Sequence, residues 1–140
     1  MPTLRHLTID DYDAIIRLWK LAGLQSVRPK GRDGRGEYAQ QLNVGQRVIG
    51  LEEGGQLIGT VVITRDTRKG WINRLAIHPD HRHKGYAKRL LAAAEEELRA
   101  MRIFAALIEA ENTPSRMLFA HEGYRVHDVV YVTKRDSEDA

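Results

Sequence analysis

The sequence predicts an α+β domain built on a mixed, mostly antiparallel sheet of six to seven strands with about four helices packed against it. Three strand-like runs follow one another between residues 47 and 77 with short polar turns between them, the pattern of an antiparallel meander. A long amphipathic pattern at 84–102 then predicts a helix. Shorter strand and helix patterns lie on both sides, so one sheet covered by helices is expected.

The composition is that of one globular domain. The chain has 140 residues, of which 42% are hydrophobic and 29% charged, and no shift in composition divides it, so we predict a single domain over 1–140. The absence of cysteine excludes disulfides and thiolate nucleophiles. No run of about 18 apolar residues occurs, and residues 1–6 lack a signal-peptide core, which predicts a cytoplasmic protein without membrane contact.

The N-terminal part predicts a strand and two helices. Residues 3–7 read as a short strand, and Thr8 is placed to cap a helix running to about Ala22. The apolar positions of that helix recur every three or four residues: Tyr12, Ile15, Ile16 and Trp19. Residues 26–36 are rich in arginine and glycine and predict a mobile basic loop. A shorter helix is expected over 36–43.

The central part predicts the meander and the long helix. Strands are expected at 47–52, 56–64 and 69–77, with a tight hairpin at Gly54-Gly55. The following helix carries its apolar side chains on one stripe: Ala87, Leu90, Leu91, Ala94, Leu98 and Met101.

The C-terminal part predicts three more strands and a helix. The apolar run at 103–110 is typical of a strand buried on both faces. Thr113-Pro114 then predicts a helix start, with the threonine as cap, and Gly123 its end. Two strands are expected after it, at 124–128 and 129–134.

The turn between the strand ending at Ile77 and the helix starting at Lys84 predicts an anion site. A helix N-terminus presents unpaired backbone N–H groups and the positive end of the helix dipole. Gly85 leaves the approach open, and three cations lie on the same approach: Arg82, Lys84 and Lys88. A bound phosphate or pyrophosphate is the expected ligand.

Two segments of the chain have the spacing of known motifs. The first has the form R-x-x-G-x-A, filled by Arg82, Gly85 and Ala87 after the run Leu75-Ala76-Ile77-His78-Pro79. The residues of the second are Asn112, Ser115, Leu118, Phe119, Gly123 and Tyr124. The first segment resembles the acetyl-CoA signature of the GNAT acetyltransferase superfamily, and the second is similar to that family's N-x-x-[AS]-x-x-L-Y-x-x-x-G-F. With the order of strands and helices, the resemblance covers nearly the whole chain.

The resemblance implies an N-acetyltransferase that moves an acetyl group from acetyl-CoA, without a metal, to a primary amine by direct attack in a ternary complex. It implies a GNAT-like sheet, splayed between the strand ending near Ile77 and the strand ending near Ala110, with pantetheine in the gap. It also implies that the Ile77 N–H polarises the thioester carbonyl. The residues expected to hold acetyl-CoA are Leu75, Ala76, Ile77, Arg82, His83, Lys84, Gly85, Tyr86, Ala87, Lys88, Asn112 and Phe119.

The sequence offers two candidates for the general base and one departure from the family at the position of its acid. The family commonly has a tyrosine, credited with protonating the departing thiolate, where this chain has Phe119, which has no proton to donate. Glu109 is the first candidate for the general base and Glu111 the second. For each of them the alternative interpretation is an exposed surface carboxylate without a catalytic role.

Other interpretations stay open at this point. The crowded group His78, Asp80, His81 and His83 contains zinc-ligand types but has no distant partner to complete a site. The cations at 82–89, with the basic loop, would also suit nucleic acid, although few aromatic residues accompany them. Phe119 leaves room for a domain that binds acetyl-CoA as a sensor without turnover. The basic loop hints at an acidic acceptor, and exposed strand edges would allow a homodimer.

Overall fold

The computed structural model describes residues 1–140 and contains one sheet of five strands together with four helices. In chain order the elements are β1 (Thr3–His6), α1 (Tyr12–Leu21), α2 (Arg35–Asn43), β2 (Arg47–Glu53), β3 (Gln56–Arg65), β4 (Gly70–Ile77), α3 (Tyr86–Glu97), β5 (Phe104–Ala105) and α4 (Thr113–His121). Short 3-10 turns precede α1 and α3. The α+β class, the single sheet and the four helices agree with the prediction.

The sheet is mixed and mostly antiparallel, in the order β1-β2-β3-β4-β5. The first three pairings are antiparallel, whereas β4 and β5 run parallel. The parallel pairing joins only Gly70 to Phe104 and Trp71 to Ala105. Beyond Trp71, β4 continues for six residues without a strand partner on that side, so the sheet is open between β4 and residues 106–110.

Helices cover both faces of the sheet. One buried cluster joins β2, β3 and β4 to α3 and α4; its helical members are Leu90, Leu91, Ala94 and Phe119, and Leu98, directly after α3, belongs to it as well. The other joins the opposite face to α1 and α2; its helical members are Ile15, Trp19 and Tyr38. Burying each of the leucines of α3 stabilises the fold by about 1.5–3 kcal/mol relative to leaving the side chain exposed. None of the helices is long and apolar enough to cross a membrane.

The predicted count of six to seven strands is wrong, because the C-terminal part of the chain forms almost no ladder. The strand expected at 103–110 is reduced to the two residues of β5, and 124–128 and 129–134 form no strand. Strand propensity depends on packing against neighbouring strands, and the two residues of β5 offer little edge to pair with. The valines of this segment are therefore largely exposed, from 71% at Val129 to 88% at Val130.

Two local predictions about the ends and loops of helices are also corrected. Asn112, and not Thr113, caps α4, because its Oδ1 accepts the Ser115 N–H at 3.2 Å. The basic loop is packed: Asp33 is only 9% exposed and its Oδ2 accepts the backbone N–H of Arg28 at 2.7 Å. A buried carboxylate at its centre therefore orders a loop that composition alone describes as polar and mobile.

Candidate functional site

The start of α3 forms an open cluster of backbone donors. Gly85 is the N-cap residue, with φ of +81°, a conformation that glycine adopts without strain. No side chain caps this end and no acidic residue lies in the first turn, so the N–H groups of the first turn have no side-chain acceptor. A Cβ at Gly85 would meet nothing within 4 Å. The surface is open, and an anion can approach it.

The predicted cations surround this helix end. Arg82, Lys84 and Lys88 are exposed, and His83 adopts a left-handed backbone with φ of +63°. The Arg82 guanidinium donates to the Ala22 carbonyl at 3.1 Å, which ties the loop to the end of α1. Lys88 Nζ lies 3.9 Å from Glu122 Oε2. The helix dipole and these cations act in the same direction and favour a polyanion here.

The end of β4 directs one backbone donor into the open side of the sheet. The His78 N–H donates to the Ile58 carbonyl at 2.8 Å, and Ile77 lies opposite Gly59. Hydrogen-bonded and non-hydrogen-bonded pairs alternate along an antiparallel ladder. The Ile77 N–H therefore points away from β3, toward the side where β4 has no strand partner. This is the orientation that a hydrogen bond to a ligand in the opening requires.

A cavity of about 450 Å³ lies in this opening. Asn73, Arg74 and Leu75 line it from β4, and residues 106–109 line it from the opposite side. Helices α1, α2 and α4 complete the wall. A volume of this size is typical of small-molecule sites.

The cavity gathers only some of the residues expected from the sequence. The predicted site residues that line it are Leu75, Glu109, Asn112 and Phe119. Ala76 lies in the buried cluster against α1, whereas Ile77 packs at the edge of the α3 cluster. Residues 82–88 lie outside the cavity at the start of α3, where Tyr86 and Ala87 are half-buried. Of the two candidate bases, Glu109 lines the cavity and Glu111 does not.

The aromatic pair behind the cavity contains no accessible acid. Phe119 is 5% exposed and its ring meets that of Tyr124 edge-on, with centroids 4.8 Å apart. The Tyr124 hydroxyl donates to Glu95 at 2.7 Å. Burial, and then this hydrogen bond, raise the pKa of Tyr124 well above its usual range. Tyr124 does not line the cavity, and its hydroxyl proton is engaged by Glu95.

Arg74 is a site residue that the sequence analysis missed. It lies in β4 with its side chain 15% exposed, lines the cavity, and its Nη2 donates to Asp33 Oδ2 at 3.0 Å. Desolvation lowers the pKa of Arg74, and the charge of Asp33 opposes that shift. The sequence signal was one charged residue inside the strand-like run before His78. Its partner Asp33 is 41 residues away and has no pattern to reveal it.

The histidine-rich turn is not arranged as a metal centre. No three His, Asp or Glu side chains of the chain are placed to hold one metal ion. His78 Nδ1 instead accepts the Asp80 N–H at 3.1 Å, and the His78 and His81 rings meet edge-on at 5.4 Å. These contacts shape the turn that leads into α3.

Comparison with known proteins agrees with this geometry. Residues 12–124 match the sequence model of the acetyltransferase (GNAT) family. A curated acetyltransferase of Pectobacterium atrosepticum is 27% identical over 133 residues, which cover 93% of this chain and 92% of that protein.

Solved structures show the same fold. The PaiA N-acetyltransferase of Thermoplasma acidophilum in complex with coenzyme A superposes with a TM-score of 0.77 at 21% identity, covering 93% of each chain. AAC(6')-Iy in complex with the bisubstrate analogue CoA-S-monomethyl-acetylneamine has a TM-score of 0.76 at 18% identity, covering 96% of this chain and 99% of its own.

Proposed function

Because the chain belongs to the acetyltransferase (GNAT) family, we propose that it transfers the acetyl group of acetyl-CoA to a primary amine by direct attack in a ternary complex. The observation that carries the proposal is a juxtaposition: the uncapped start of α3 lies beside the end of β4, where the sheet opens into a cavity. The first feature suits a pyrophosphate and the second suits the pantetheine arm and an acceptor.

The residues at the two ends of this opening fit acetyl-CoA. Backbone N–H groups of Tyr86, Ala87 and Lys88 would bind the pyrophosphate, with Arg82 and Lys84 adding charge. Leu75 would lie along the pantetheine arm, and the free Ile77 N–H would donate to the thioester carbonyl. Bound acetyl-CoA supplies an activated acetyl thioester; the chain supplies position and a polarising donor.

Proton transfer in this proposal depends on Glu109. It lines the cavity and is exposed, so it can take a proton from an ammonium group directly or through one water. Phe119 donates no proton to the departing sulfur. A free thiol has a pKa near 8.5, so the thiolate leaves readily without a neighbouring acid.

The proposal is tested by binding and by turnover measured separately. Calorimetry with acetyl-CoA should show one site per chain, and release of free CoA thiol on adding amines should report transfer. Saturable binding without thiol release across small amines, amino acids, aminoglycosides, lysine peptides and protein N-termini would favour a sensor domain. If the protein does not bind acetyl-CoA, the proposed acetyl transfer is refuted.

A further inference from the structure

Arg74 occupies an irregular position in the sheet. The register between β3 and β4 shifts there, since Thr60 pairs with Ala76 but Val62 pairs with Asn73, so Arg74 and Leu75 together lie opposite one residue. Arg74 has φ of +52°, a left-handed conformation inside a strand. Such a bulge redirects a side chain, and a non-glycine residue keeps this conformation only where its surroundings impose it.

Trp19 and Thr60 hold Arg74 from both its backbone and its side chain. The Thr60 hydroxyl donates to the Arg74 carbonyl at 3.2 Å, and the Trp19 indole N–H donates to that hydroxyl oxygen at 2.9 Å. The guanidinium carbon of Arg74 lies 4.9 Å from the centroid of the Trp19 ring. Trp19 and Thr60 are themselves buried. The guanidinium is therefore held rigidly by the core.

The guanidinium retains unused donor capacity. Its Nη2 donates to Asp33 Oδ2 and, at 3.3 Å, to the Ser26 carbonyl, whereas its buried Nη1 has no hydrogen-bond partner in the protein. Asp33 Oδ2 also accepts the Arg28 N–H at 2.7 Å and lies 3.9 Å from Arg32 Nε. The single carboxylate of Asp33 thus faces the guanidinium groups of both Arg74 and Arg32, and one positive charge is not neutralised.

The cavity wall as a whole also carries more positive than negative side chains. Three arginines line it, namely Arg32, Arg74 and Arg135, against two carboxylates, Asp33 and Glu109. Asp33 is already paired with Arg74, and Glu109 lies on the opposite side of the opening. The α1 side of the cavity is therefore cationic next to an apolar surface formed by Trp19, Leu24 and Ile16.

We propose that Arg74, assisted by Arg32, binds a carboxylate of the acceptor, so that this enzyme acetylates amines of the amino-acid class. The proposal rests on the acetyl transfer proposed above. Arginine presents N–H groups in a fixed fork that matches a carboxylate. The bulge and the Trp19 contact orient that fork before substrate arrives.

The test compares acceptors that differ only in the carboxylate. Wild-type kcat/KM is measured for leucine, glutamate and β-alanine against their carboxamides, and for an aminophosphonate that separates carboxylate from phosphate recognition. We expect kcat/KM to be at least about tenfold higher for the carboxylates than for their carboxamides, and we expect the difference to lie in KM and not in kcat. Calorimetry with N-acetyl-leucine and its amide gives the same comparison without turnover.

Variants then assign the preference to Arg74. Arg74→Lys should weaken the preference, because an ammonium lacks the planar fork. The double change Arg74→Gln with Asp33→Asn should abolish the preference for carboxylates over carboxamides without stranding a buried charge. Arg17→Gln, on the exposed face of α1, is the matched control. Circular dichroism checks that each variant is folded.

The outcomes separate the two proposals. Acetylation only of amines without a carboxylate, equal rates for acids and amides, or a preference unchanged in the folded double variant would each overturn the carboxylate assignment and leave acetyl transfer standing. A preference for the phosphonate over the carboxylate would also overturn it. Acetyl-CoA binding without acetylation of any amine tested would overturn both.

Discussion

Gly85 combines a left-handed backbone with an open surface at the start of α3. In Gly85→Asp the new carboxylate lies where the phosphates are proposed to approach, and a side chain at φ of +81° is strained. We expect acetyl-CoA affinity to fall at least about 100-fold, because repulsion replaces a favourable helix end. Calorimetry measures the loss directly.

Two further glycine variants separate charge from strain. Gly85→Asn places a side chain of the same size at the same φ and adds no charge, so it should retain more affinity than Gly85→Asp. Gly45→Asp introduces the same residue at another open glycine with φ of +110°, two residues before Arg47, which pairs with Glu97 at the far end of α3 from Gly85. It should bind acetyl-CoA as the wild type does. Wild-type affinity in Gly85→Asp would refute the pyrophosphate site.

Glu109 is the residue on which proton transfer from the amine is proposed to depend. Glu109→Gln should lower kcat by about 100-fold at neutral pH while acetyl-CoA affinity is unchanged, because general-base catalysis typically contributes 10²–10⁴-fold. Glu111→Gln is the matched control, since Glu111 lies two residues away and outside the cavity. Equal turnover by the two variants would show that Glu109 is an ordinary surface carboxylate.

At the scale of elements, the turn from β3 to β4 depends on Asp66. Its carboxylate accepts the N–H groups of Arg68 and Lys69, each at 2.7 Å, and the Trp71 indole N–H at 3.0 Å. The Trp71 hydrogen bond, followed by the two backbone bonds, lowers the pKa of Asp66 to about 2. Trp71 thus packs at this turn and does not line the cavity.

This carboxylate makes a pH-dependent contribution to stability. Because its pKa is lower in the folded state, the contribution is complete above pH 4 and is lost as the pH falls through about 2. The free energy of unfolding of Asp66→Asn should therefore lie below that of the wild type at pH 7, and the difference should shrink toward pH 2. Urea titrations followed by circular dichroism measure it.

The control for this titration is Asp136→Asn, an exposed position in the C-terminal tail. The free energy of unfolding of Asp136→Asn should stay close to that of the wild type at every pH. A difference for Asp66→Asn that is constant from pH 7 to pH 2 would contradict the role of ionised Asp66 in the turn.

At the scale of the whole molecule, the sheet has two free edges, β1 and β5. Both edges carry unpaired backbone groups, and the exposed valines at 126–132 follow after α4. The homodimer that exposed strand edges would allow is a prediction to be tested. Sedimentation at increasing concentration should show association that Leu4→Asp, which adds a charge to the edge strand β1, weakens, whereas Leu21→Asp, at an exposed position on α1, should not weaken it. A monomer at all concentrations would refute it.

Elements with strong local patterns were predictable from the sequence. The stripe Leu90, Leu91, Ala94 and Leu98 predicted α3, although the helix ends at Glu97 and not near Arg102. The meander followed from three strand-like runs around tight turns. The expected strands at 124–134 failed because a strand requires an available edge, and local propensity does not report whether one exists.

By itself the sequence determined the α+β class and the family, and it predicted the segment at 82–88 that is proposed to bind the cofactor. Each of these depends on residues close together in the chain, where periodicity, capping and glycine placement act directly. Only the tertiary structure decided which acidic residue lines the cavity, how Ile77 presents its N–H, and that Arg74 meets Asp33 beneath Trp19. The contact between Arg74 and Asp33 joins residues 41 positions apart, and the orientation of the β4 backbone depends on the sheet register. A local sequence pattern does not encode either of these.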